Sequence, residues 1–488
     1  MLTQITEPGQ TQVAENKIAY VLLKLIKDGV LSENEALLDF AYELIELAAE
    51  QGTSRLVQIK ISSRTKIVGK GVEKSPDGTI LLLTELALDK NIPQAQFTCL
   101  VNSLMKYLEN ERFQNVCISS GTVESLLSVL QQSLTFRADP SSVEETKAVV
   151  QVQLKINQAL GEVSGSELFS KFYPLDSPLI ETLKSLLTAN HDQLQICACV
   201  MLGNLARSDE MCETMVHKQG LHKELISILN SDARGSVLHS ALSFLKNLAI
   251  AGNNRQSLGE AGLVPAISRL WEYDTVPQVQ FAATSIARQL IRSSLDNVSK
   301  LLDILPADGE STYLSLLLAL FNKTDSAPIQ TEIGRIVASI CRTLSPMTRE
   351  QTDNTDTATV LLDRLFTLHS DLPRPIAAMI TQTQWPVVRS EGWFALTLMA
   401  TNEKGGAAAV DCLRETDVFP LLEKTFTDDA EADQVKQSKD RDNLIILVQE
   451  MLHKHASLHS SSLLDPMLTE FSLRRTLSPT TCEPRSTI

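Results

Sequence analysis

Apolar residues recur along most of this chain every three to four positions, which is the spacing of amphipathic helices. The run Cys199–Ala206 is largely apolar, the pair Gly220-Leu221 follows it as a break, and a second apolar run comes at 223–229. Glycine breaks of this kind separate short helices. The pattern predicts an all-α protein whose helices extend from about residue 18 to about residue 456.

The helical runs repeat with a period of about 42 residues. Asn204 and Asn247 occupy the same position in two successive copies, 43 residues apart, and Gln289 follows 42 residues later. The breaks at Gly220 and Gly262 are likewise 42 residues apart. This period is typical of armadillo and HEAT units, each of which buries its apolar stripe only against its neighbours. The sequence therefore predicts an all-α, armadillo/HEAT-like, right-handed superhelical solenoid.

Shifts in this pattern divide the chain into predicted segments. Residues 55–83 alternate apolar and polar positions around the turn signal Ser75-Pro76-Asp77-Gly78, which predicts a loop or small hairpin inserted between helices. Loops are also expected at 134–144, 161–178, 345–356 and 427–440. The predicted organisation is a flexible amino terminus at 1–17, degenerate repeats at 18–158 that contain the insertion, a linker at 159–178, carboxy-terminal repeats at 179–456 and a disordered Ser-, Thr- and Pro-rich tail at 457–488.

Composition agrees with this architecture. At 488 residues the chain exceeds what one hydrophobic core usually serves, and aromatic residues make up only 5%. Its eight cysteines are scattered without CxxC spacing, so we expect reduced core thiols in a cytoplasmic or nuclear protein. No apolar leader and no stretch of about 18 apolar residues occurs, so we expect neither a secreted nor a membrane-inserted protein.

Charge and motifs narrow the expected function to binding. A net charge of -15 repels nucleic-acid phosphates and favours cationic partners. The motifs GxxxxGK[ST], HExxH and GxSxG are absent from the sequence, so nothing indicates nucleotide hydrolysis, zinc proteolysis or serine hydrolysis. Cys197 and Cys199, two apart on a predicted helix, point away from each other and could not share a metal. We expect a protein that is not an enzyme and has no cofactor and no metal.

A candidate binding groove follows from the repeat. Asn204, Asn247 and Gln289 recur on the helix that we expect to line the concave face of each unit. Their side-chain amides offer donors and an acceptor, so they could clamp the backbone of a partner. In the alternative interpretation, each asparagine bonds a neighbouring carbonyl and only fixes the packing of the repeats. The cations that flank this row are Arg207, Lys246 and Arg288.

A second candidate is a row of carboxylates near the amino terminus. Asp39, Glu43, Glu46 and Glu50 are spaced by four, three and four residues, which places them on one helical face. Such like charges destabilise a helix by a few tenths of a kcal/mol per pair, roughly, and a basic peptide would relieve that repulsion. The alternative is a solvated outer face without a partner.

Three segments of the chain resemble the small-GTPase GDP-dissociation stimulators, the armadillo proteins of smgGDS type. The segment 204–209 reads Asn-Leu-Ala-Arg-Ser-Asp and is similar to the family's Asn-Phe-Ala-Arg-Asn-Asp. The segments 241–250 and 276–281 are similar to its Ala-Leu-x-x-Leu-Arg-Asn-Leu-Ala-Ile and Pro-Pro-Val-Gln-Phe. The resemblance covers 190–290 well and is traceable to about residue 456.

This resemblance implies a cytoplasmic protein that binds small GTPases of Rho and Rap type at their prenylated, polybasic carboxyl termini. It would stimulate loss of GDP as an exchange factor, or act as an escort chaperone. Asn204, Asn247 and Asn443 would then contact the GTPase, and the carboxylate row would attract its basic tail. We expect a monomer.

The alternative function is an armadillo scaffold or transport adaptor that binds extended peptides without exchange activity. Adaptors that import nuclear proteins present tryptophans at a fixed offset from the row of asparagines. Trp271, Trp385 and Trp393 have no such offset here, which counts against that type of adaptor and leaves a plain scaffold open.

Overall fold

The computed structural model of the chain describes residues 17–31, 33–50, 70–136, 143–306, 309–345, 355–416, 418, 421 and 434–454. Nearly all of these residues lie in helices or in the short connections between them. Within the described ranges, extended pairing is limited to one bridge between Ile304 and Thr312. The chain is therefore all-α, as the hydrophobic pattern predicts.

The contacts divide the chain into two compact units. Unit 1 is Met1–Ala251. Its helices are α1 (Ile18–Lys27), α2 (Glu35–Glu50), α3 (Lys70–Lys74), α4 (Gly78–Ala87), α5 (Gln94–Leu108), α6 (Glu111–Ser119), α7 (Val123–Ser133), α8 (Val143–Ser164), α9 (Glu167–Phe172), α10 (Pro178–Leu186), α11 (Asp192–Leu205), α12 (Asp209–Glu213), a π-helical turn (Thr214–Lys218), α13 (Leu221–Leu229) and α14 (Gly235–Ile250).

Unit 2 is Gly252–Ile488. Its helices are α15 (Asn254–Glu260), α16 (Leu263–Ser268), a 3₁₀ turn (Arg269–Glu272), α17 (Pro277–Ile291), α18 (Leu295–Leu301), α19 (Tyr313–Lys323), α20 (Ala327–Leu344), α21 (Thr355–Leu368), α22 (Pro373–Thr381), α23 (Pro386–Ala400), α24 (Glu403–Glu415) and α25 (Gln434–Lys454).

In each unit, one long helix per repeat packs against the corresponding helix of the next repeat. We call these the third helices, because each closes a three-helix repeat. Ala241, Phe244 and Leu245 of α14 are almost fully buried, so small and large apolar side chains fill the interface together. Burial of a leucine or phenylalanine contributes roughly 1.5–3 kcal/mol. The third helices are α2, α5, α8, α11 and α14 in unit 1 and α17, α20, α23 and α25 in unit 2.

The predicted glycine breaks are real helix boundaries. Gly220 and Gly262 precede α13 and α16 with φ angles of 68° and 84°, in the left-handed region. Residues with a Cβ are disfavoured there, so glycine lets the chain turn sharply between two helices of a repeat. The following Leu221 and Leu263 are both buried, and each anchors the start of its helix. These two turns and the stacked third helices make the fold an armadillo-type repeat array.

Two segments predicted as irregular contain helices. Within the predicted insertion at 55–83, residues 70–74 and 78–83 are helical, and Ile80 and Leu83 are fully buried. The predicted linker at 159–178 contains the end of α8 and all of α9, with Phe169 buried. The prediction of a hairpin and a linker was wrong for these residues. Tertiary burial of a few apolar side chains outweighed the weak local pattern.

Other predicted boundaries fall partly or wholly outside the described residues. The expected loop at 427–440 is helical from 434 onward, where α25 begins, and that part of the prediction was wrong. The loop at 134–144 is helical from 143, and the loop at 345–356 is helical from 355. The remaining predictions, namely those for 1–16, for 55–69 and for the tail at 457–488, concern residues that lie outside the described ranges.

Candidate functional site

The predicted asparagines of unit 1 join successive third helices. Asn204 of α11 donates through Nδ2 to the carbonyl oxygen of Gly161 at 2.9 Å and to Ser164 Oγ at 3.0 Å. Asn247 of α14 donates through Nδ2 to the carbonyl oxygen of Gly203 at 3.0 Å. These bonds are the ones that the packing interpretation expects. Both side chains stay partly exposed, and no described residue donates to either Oδ1 atom, so a partner could use those acceptors.

The flanking cations of unit 1 differ in their availability. Arg207 is exposed, but its Nε donates to the carbonyl oxygen of Asn204 at 2.7 Å and its Nη2 donates to that of Gly165. Lys246 is partly exposed and makes no ion pair or side-chain hydrogen bond with any residue that the structure describes. Among the predicted groove residues of unit 1, Lys246 is therefore the cation most available to a partner.

The predicted groove residues of unit 2 have different surroundings. Gln289 is only 8% exposed, and its Oε1 accepts a bond from Arg292 Nη1 at 3.3 Å, so little of the side chain is left for a partner. Asn443 of α25 is partly exposed, and its backbone carbonyl accepts a bond from Thr397 Oγ1 at 3.0 Å. Its side-chain amide has no hydrogen-bond partner among the described residues.

Arg288, the third predicted cation, belongs to an ion pair. Its Nε lies 2.6 Å from Oε1 of Glu332 on the next third helix, and the Glu332 side chain is only 7% exposed. The same arrangement recurs one helix later, where Arg335 Nε lies 2.8 Å from Glu391 Oε2. We call these contacts, together with the next one, the ion-pair ladder of unit 2.

The last pair of the ladder joins α23 to α25. Arg389 Nε lies 3.8 Å from Asp440 Oδ2, and the hydroxyl of Ser390 donates to Oδ1 of the same aspartate. The sequence analysis identified only Arg288 of these residues. The available signal was an arginine in one third helix followed by an acid in the next, but the separations of 44 and 56 residues in the first two pairs do not share one period.

The predicted carboxylate row lies along the interface between α2 and α5. Asp39 Oδ1 accepts a bond from Gln96 Nε2 at 2.9 Å, and Glu46 Oε1 accepts one from Asn102 Nδ2 at 2.8 Å. Lys155 of α8 in turn donates to Asn102 Oδ1 at 2.7 Å. Three third helices are thus connected through side chains of this row and its neighbours.

The other two members of the carboxylate row are Glu43 and Glu50. Glu43 is exposed, and the side chain of Glu50 lies outside the described residues. Burial, a hydrogen bond with Glu46 and the nearby carboxylates together raise the pKa of the Cys99 thiol to about 12. Burial is the largest cause of this shift, and the smaller contributions of Glu46, Glu43 and Asp39 reflect their negative charge, which would attract a cationic partner.

Most cysteines of the described residues, and two of the histidines, His222 and His369, are core groups. The seven cysteines there form no disulfide, and all but Cys99 are buried. Burial raises the pKa of Cys197 and Cys341 to about 12, which keeps these thiols protonated and unreactive near neutral pH. Burial also lowers the pKa of His222 and His369. The described residues contain no cluster of three or more groups suited to a metal ion, and none of their helices is long and apolar enough to cross a bilayer.

Comparison with known proteins shows which proteins this chain is similar to. No family model matches the chain. It is 25% identical over 351 residues to Rap1 GTPase-GDP dissociation stimulator 1-B of Xenopus laevis, a match that covers 71% of this chain and 52% of the relative. The chain is related to the GTPase-GDP dissociation stimulators. The resemblance that the three sequence segments indicate is thereby confirmed.

Two further comparisons support the family and the fold. GTPase-GDP dissociation stimulator vimar of Drosophila melanogaster is 25% identical over 235 residues, which are 47% of this chain and 34% of the relative. The chain spans about half the length of the Xenopus relatives that it matches. A crystal structure of an engineered protein aligns over 91% of this chain and 94% of its own, with a TM-score of 0.56 and 17% identity, which supports the fold alone.

Proposed function

We propose that this chain binds small GTPases through the faces of its third helices and stimulates the loss of GDP. The relationship to proteins named GTPase-GDP dissociation stimulators carries the proposal, because the match extends over 71% of this chain. The partners that we propose are GTPases of Rap or Rho type with prenylated and polybasic carboxyl termini. An escort role for such GTPases belongs to the same proposal.

The proposed activity needs no catalytic side chain. A protein that binds the nucleotide-free GTPase more tightly than the GDP-bound form must weaken GDP binding by the same factor. A thousandfold preference corresponds to about 4 kcal/mol of differential contact. An interface of the usual size, about 1,600 Å² in total, is large enough to provide this difference.

The side chains available for such contacts follow from the geometry of each unit. In unit 1, Lys246 and the Oδ1 atoms of Asn204 and Asn247 are the groups that a GTPase would meet, and in unit 2 the amide of Asn443 is available. The carboxylate row would attract a polybasic tail through its negative charges, with Glu43 as the member that is exposed and has no hydrogen bond to a described residue.

A scaffold without exchange activity is the second candidate. The Nδ2 donors of Asn204 and Asn247 already bind the preceding third helix, so the row has a structural purpose that requires no partner. In that case the face would bind an extended protein segment without preference for the nucleotide-free GTPase.

Release of a fluorescent GDP analogue from prenylated and unprenylated Rap and Rho GTPases tests the proposal. We expect faster release with the full chain and a clear loss of that effect with Lys246→Ala, because this variant removes a proposed contact with the GTPase. Lys246 has no structural contact to lose, so the variant should still fold. Lys223→Ala is the matched control, since Lys223 is exposed on α13, which is not a third helix.

The double variant Asn204→Ala/Asn247→Ala should lose the effect as well, but its thermal unfolding must be measured alongside because both amides join helices. The result that contradicts the proposal is an unchanged release rate together with no capture of any nucleotide-free GTPase. Equal capture of the GDP-bound and nucleotide-free forms, without accelerated release, would favour the scaffold.

A further inference from the structure

The arginines of the ion-pair ladder are held in place by only one of their nitrogen atoms. Arg288 and Arg335 each contact the next third helix through Nε, at 2.6 Å and 2.8 Å. No described residue accepts a bond from the Nη atoms of either side chain, and the side chains are 25% and 31% exposed. Because a guanidinium carries five N–H donors in a planar fork, each arginine retains its Nη donors for a further acceptor.

These arginines share one face with aromatic rings. Arg342 lies two helical turns after Arg335 on α20, and its guanidinium carbon is 5.2 Å from the ring centre of Phe394 on α23. Phe281 lies two turns before Arg288 on α17 and is 36% exposed. We call this surface the open face of unit 2 and define it by Phe281, Arg288, Arg335, Arg342, Glu391 and Phe394.

On α17, α20 and α23, which form this face, arginines outnumber carboxylates by four to two, although the chain as a whole is acidic. Each carboxylate of the ladder is already paired with an arginine. The carboxylate row of unit 1 contrasts with this, because its described members accept bonds mainly from neutral amides. The arginines counted here are Arg288, Arg335, Arg342 and Arg389, and the carboxylates are Glu332 and Glu391.

We propose that the open face of unit 2 binds an extended acidic segment of a partner protein, whose carboxylates pair with the Nη groups of Arg288 and Arg335. Paired N–H donors of an arginine match the two oxygens of a carboxylate, and such charge-assisted bonds are about twice as strong as neutral ones. The existing Nε bonds fix the side chains beforehand, which reduces the entropy lost on binding. Third helices pack roughly 8–10 Å apart and an extended segment rises about 3.3 Å per residue, so the next arginine lies about two to three residues along the segment.

This inference deepens the proposed function, on which it rests for the identity of the natural partner, because Arg288 belongs to the proposed groove. The affinity for an acidic peptide can nevertheless be measured without any GTPase. A chain that binds the peptide but does not accelerate GDP release would retain the inference and contradict the proposed function. The converse result would contradict the inference alone.

Fluorescence anisotropy of a labelled ten-residue peptide of alternating Glu and Ser tests the inference with the full chain. We expect binding that weakens as salt is raised, and no comparable binding of an uncharged Gly-Ser peptide of the same length. Arg335→Gln should weaken binding about fivefold or more, because one charged, bidentate contact is lost. Arg335→Lys should also weaken it, since lysine keeps the charge but not the fork.

Glu391→Gln distinguishes a binding role from a structural one. The glutamine oxygen can still accept the bond from Arg335 Nε, so the arginine stays oriented while a negative charge is removed from the face, and peptide affinity should rise about threefold. A merely structural pair would give weaker binding for both Arg335→Gln and Glu391→Gln, and that result would overturn the inference. Equal binding of the Gly-Ser peptide would overturn it too.

Arg234→Gln is the matched control, because Arg234 is 84% exposed in unit 1 and its loss changes the net charge equally. Its affinity for the Glu-Ser peptide should equal that of the unaltered chain. An equal loss with Arg234→Gln and Arg335→Gln would show that only overall charge matters and would contradict the site. Thermal unfolding of each variant checks that a changed affinity does not come from misfolding.

Discussion

The two units stack their third helices in the same way but connect them with different polar groups. In unit 1, side-chain amides donate to backbone carbonyls of the preceding helix, as Asn204 does to Gly161 and Asn247 to Gly203. In unit 2, arginines reach forward to a carboxylate on the next helix, as Arg335 does to Glu391. Similar repeat packing is therefore compatible with neutral contacts in one unit and charged contacts in the other.

The difference has energetic consequences. A neutral hydrogen bond contributes about 1 kcal/mol net, and salt affects it little. A charged pair responds to ionic strength, and its effect depends on burial, because an uncompensated buried charge is strongly unfavourable. The stability of unit 2 should therefore fall more than that of unit 1 when one polar partner is lost or when the salt concentration is changed.

The largest effect is expected at the buried acid of the ladder. Glu332→Ala leaves Arg288 without its partner, and we expect it to lower the free energy of unfolding by about 3 kcal/mol, the low end for a broken buried pair, because a quarter of Arg288 is exposed. Asn247→Ala in unit 1 should lower it by only about 1 kcal/mol. Urea unfolding measures both losses, and hydrogen exchange of α20 and α14 locates them. Equal losses would contradict the comparison.

The next effect concerns glycines at the contacts of third helices. A Cβ at Gly334 would lie 2.7 Å from Met379 Cγ and 2.9 Å from the carbonyl oxygen of Pro375, so Gly334→Ala should destabilise unit 2 by about 2 kcal/mol. A Cβ at Gly203 would lie 3.4 Å from Phe244 Cβ. Gly203→Ala should therefore be neutral or stabilise by up to about 1 kcal/mol, because alanine is the better helix former.

Thermal unfolding followed by circular dichroism compares the two glycine variants. A Gly334→Ala protein that unfolds at the temperature of the unaltered chain would show that α20 and α22 can separate without penalty. Destabilisation by Gly203→Ala as large as that of Gly334→Ala would remove the contrast between the two interfaces.

A smaller effect separates charged from neutral contacts. A double-mutant cycle with Arg335→Gln and Glu391→Gln should give a coupling energy of about 0.5–1 kcal/mol at low salt, because both side chains are about one-third exposed. The coupling should shrink in 1 M NaCl, where the screening length is about 3 Å. The matched cycle of Asn204→Ala and Ser164→Ala in unit 1 should not change with salt. Urea unfolding at both salt concentrations supplies the values, and a salt-independent Arg335–Glu391 coupling would contradict the ladder's charged character.

The smallest effect expected is a pH dependence that both units share. Burial lowers the pKa of His369 in unit 2 and of His222 in unit 1 below the ordinary value of 6.5. The unfolded chain therefore binds more protons than the folded one as pH falls below about 6.5, so stability is full above that pH and decreases below it. His369→Gln and His222→Gln should each reduce the slope of stability between pH 7.5 and 5.5. An unchanged slope in both variants would show that other groups control acid stability.

The repeat in the sequence made the helical fold predictable. The recurring Gly220 and Gly262 identify helix boundaries because only glycine adopts their left-handed conformation easily, and that constraint is local. The helices at 70–83 and in the segment 159–178 were not predicted, because their short apolar patterns become helical through burial of residues such as Ile80 and Phe169. Local pattern is a weak guide wherever a few tertiary contacts decide the conformation.

The sequence predicted which residues belong to the candidate sites, but it did not predict which atoms those residues contact. Recurrence identified Asn204 and Asn247 as special, but it could not decide whether their donors bind a partner or the carbonyl of the preceding helix. The ion-pair ladder was largely missed, because Arg335 and Glu391 are 56 residues apart and no fixed period connects them. The proposed binding of a GTPase and of an acidic segment remains to be tested by the release and anisotropy experiments.

The sequence by itself determined the helical class, the repeat, the turns at glycine and the resemblance to the dissociation stimulators, because each depends on residue type and spacing along the chain. The tertiary structure alone decided which polar groups are occupied: it leaves Lys246 available, buries Gln289, and pairs Arg288 with Glu332. The physical reason is that hydrogen bonds and ion pairs form between atoms a few ångströms apart. Sequence separation does not fix that distance until the helices have packed.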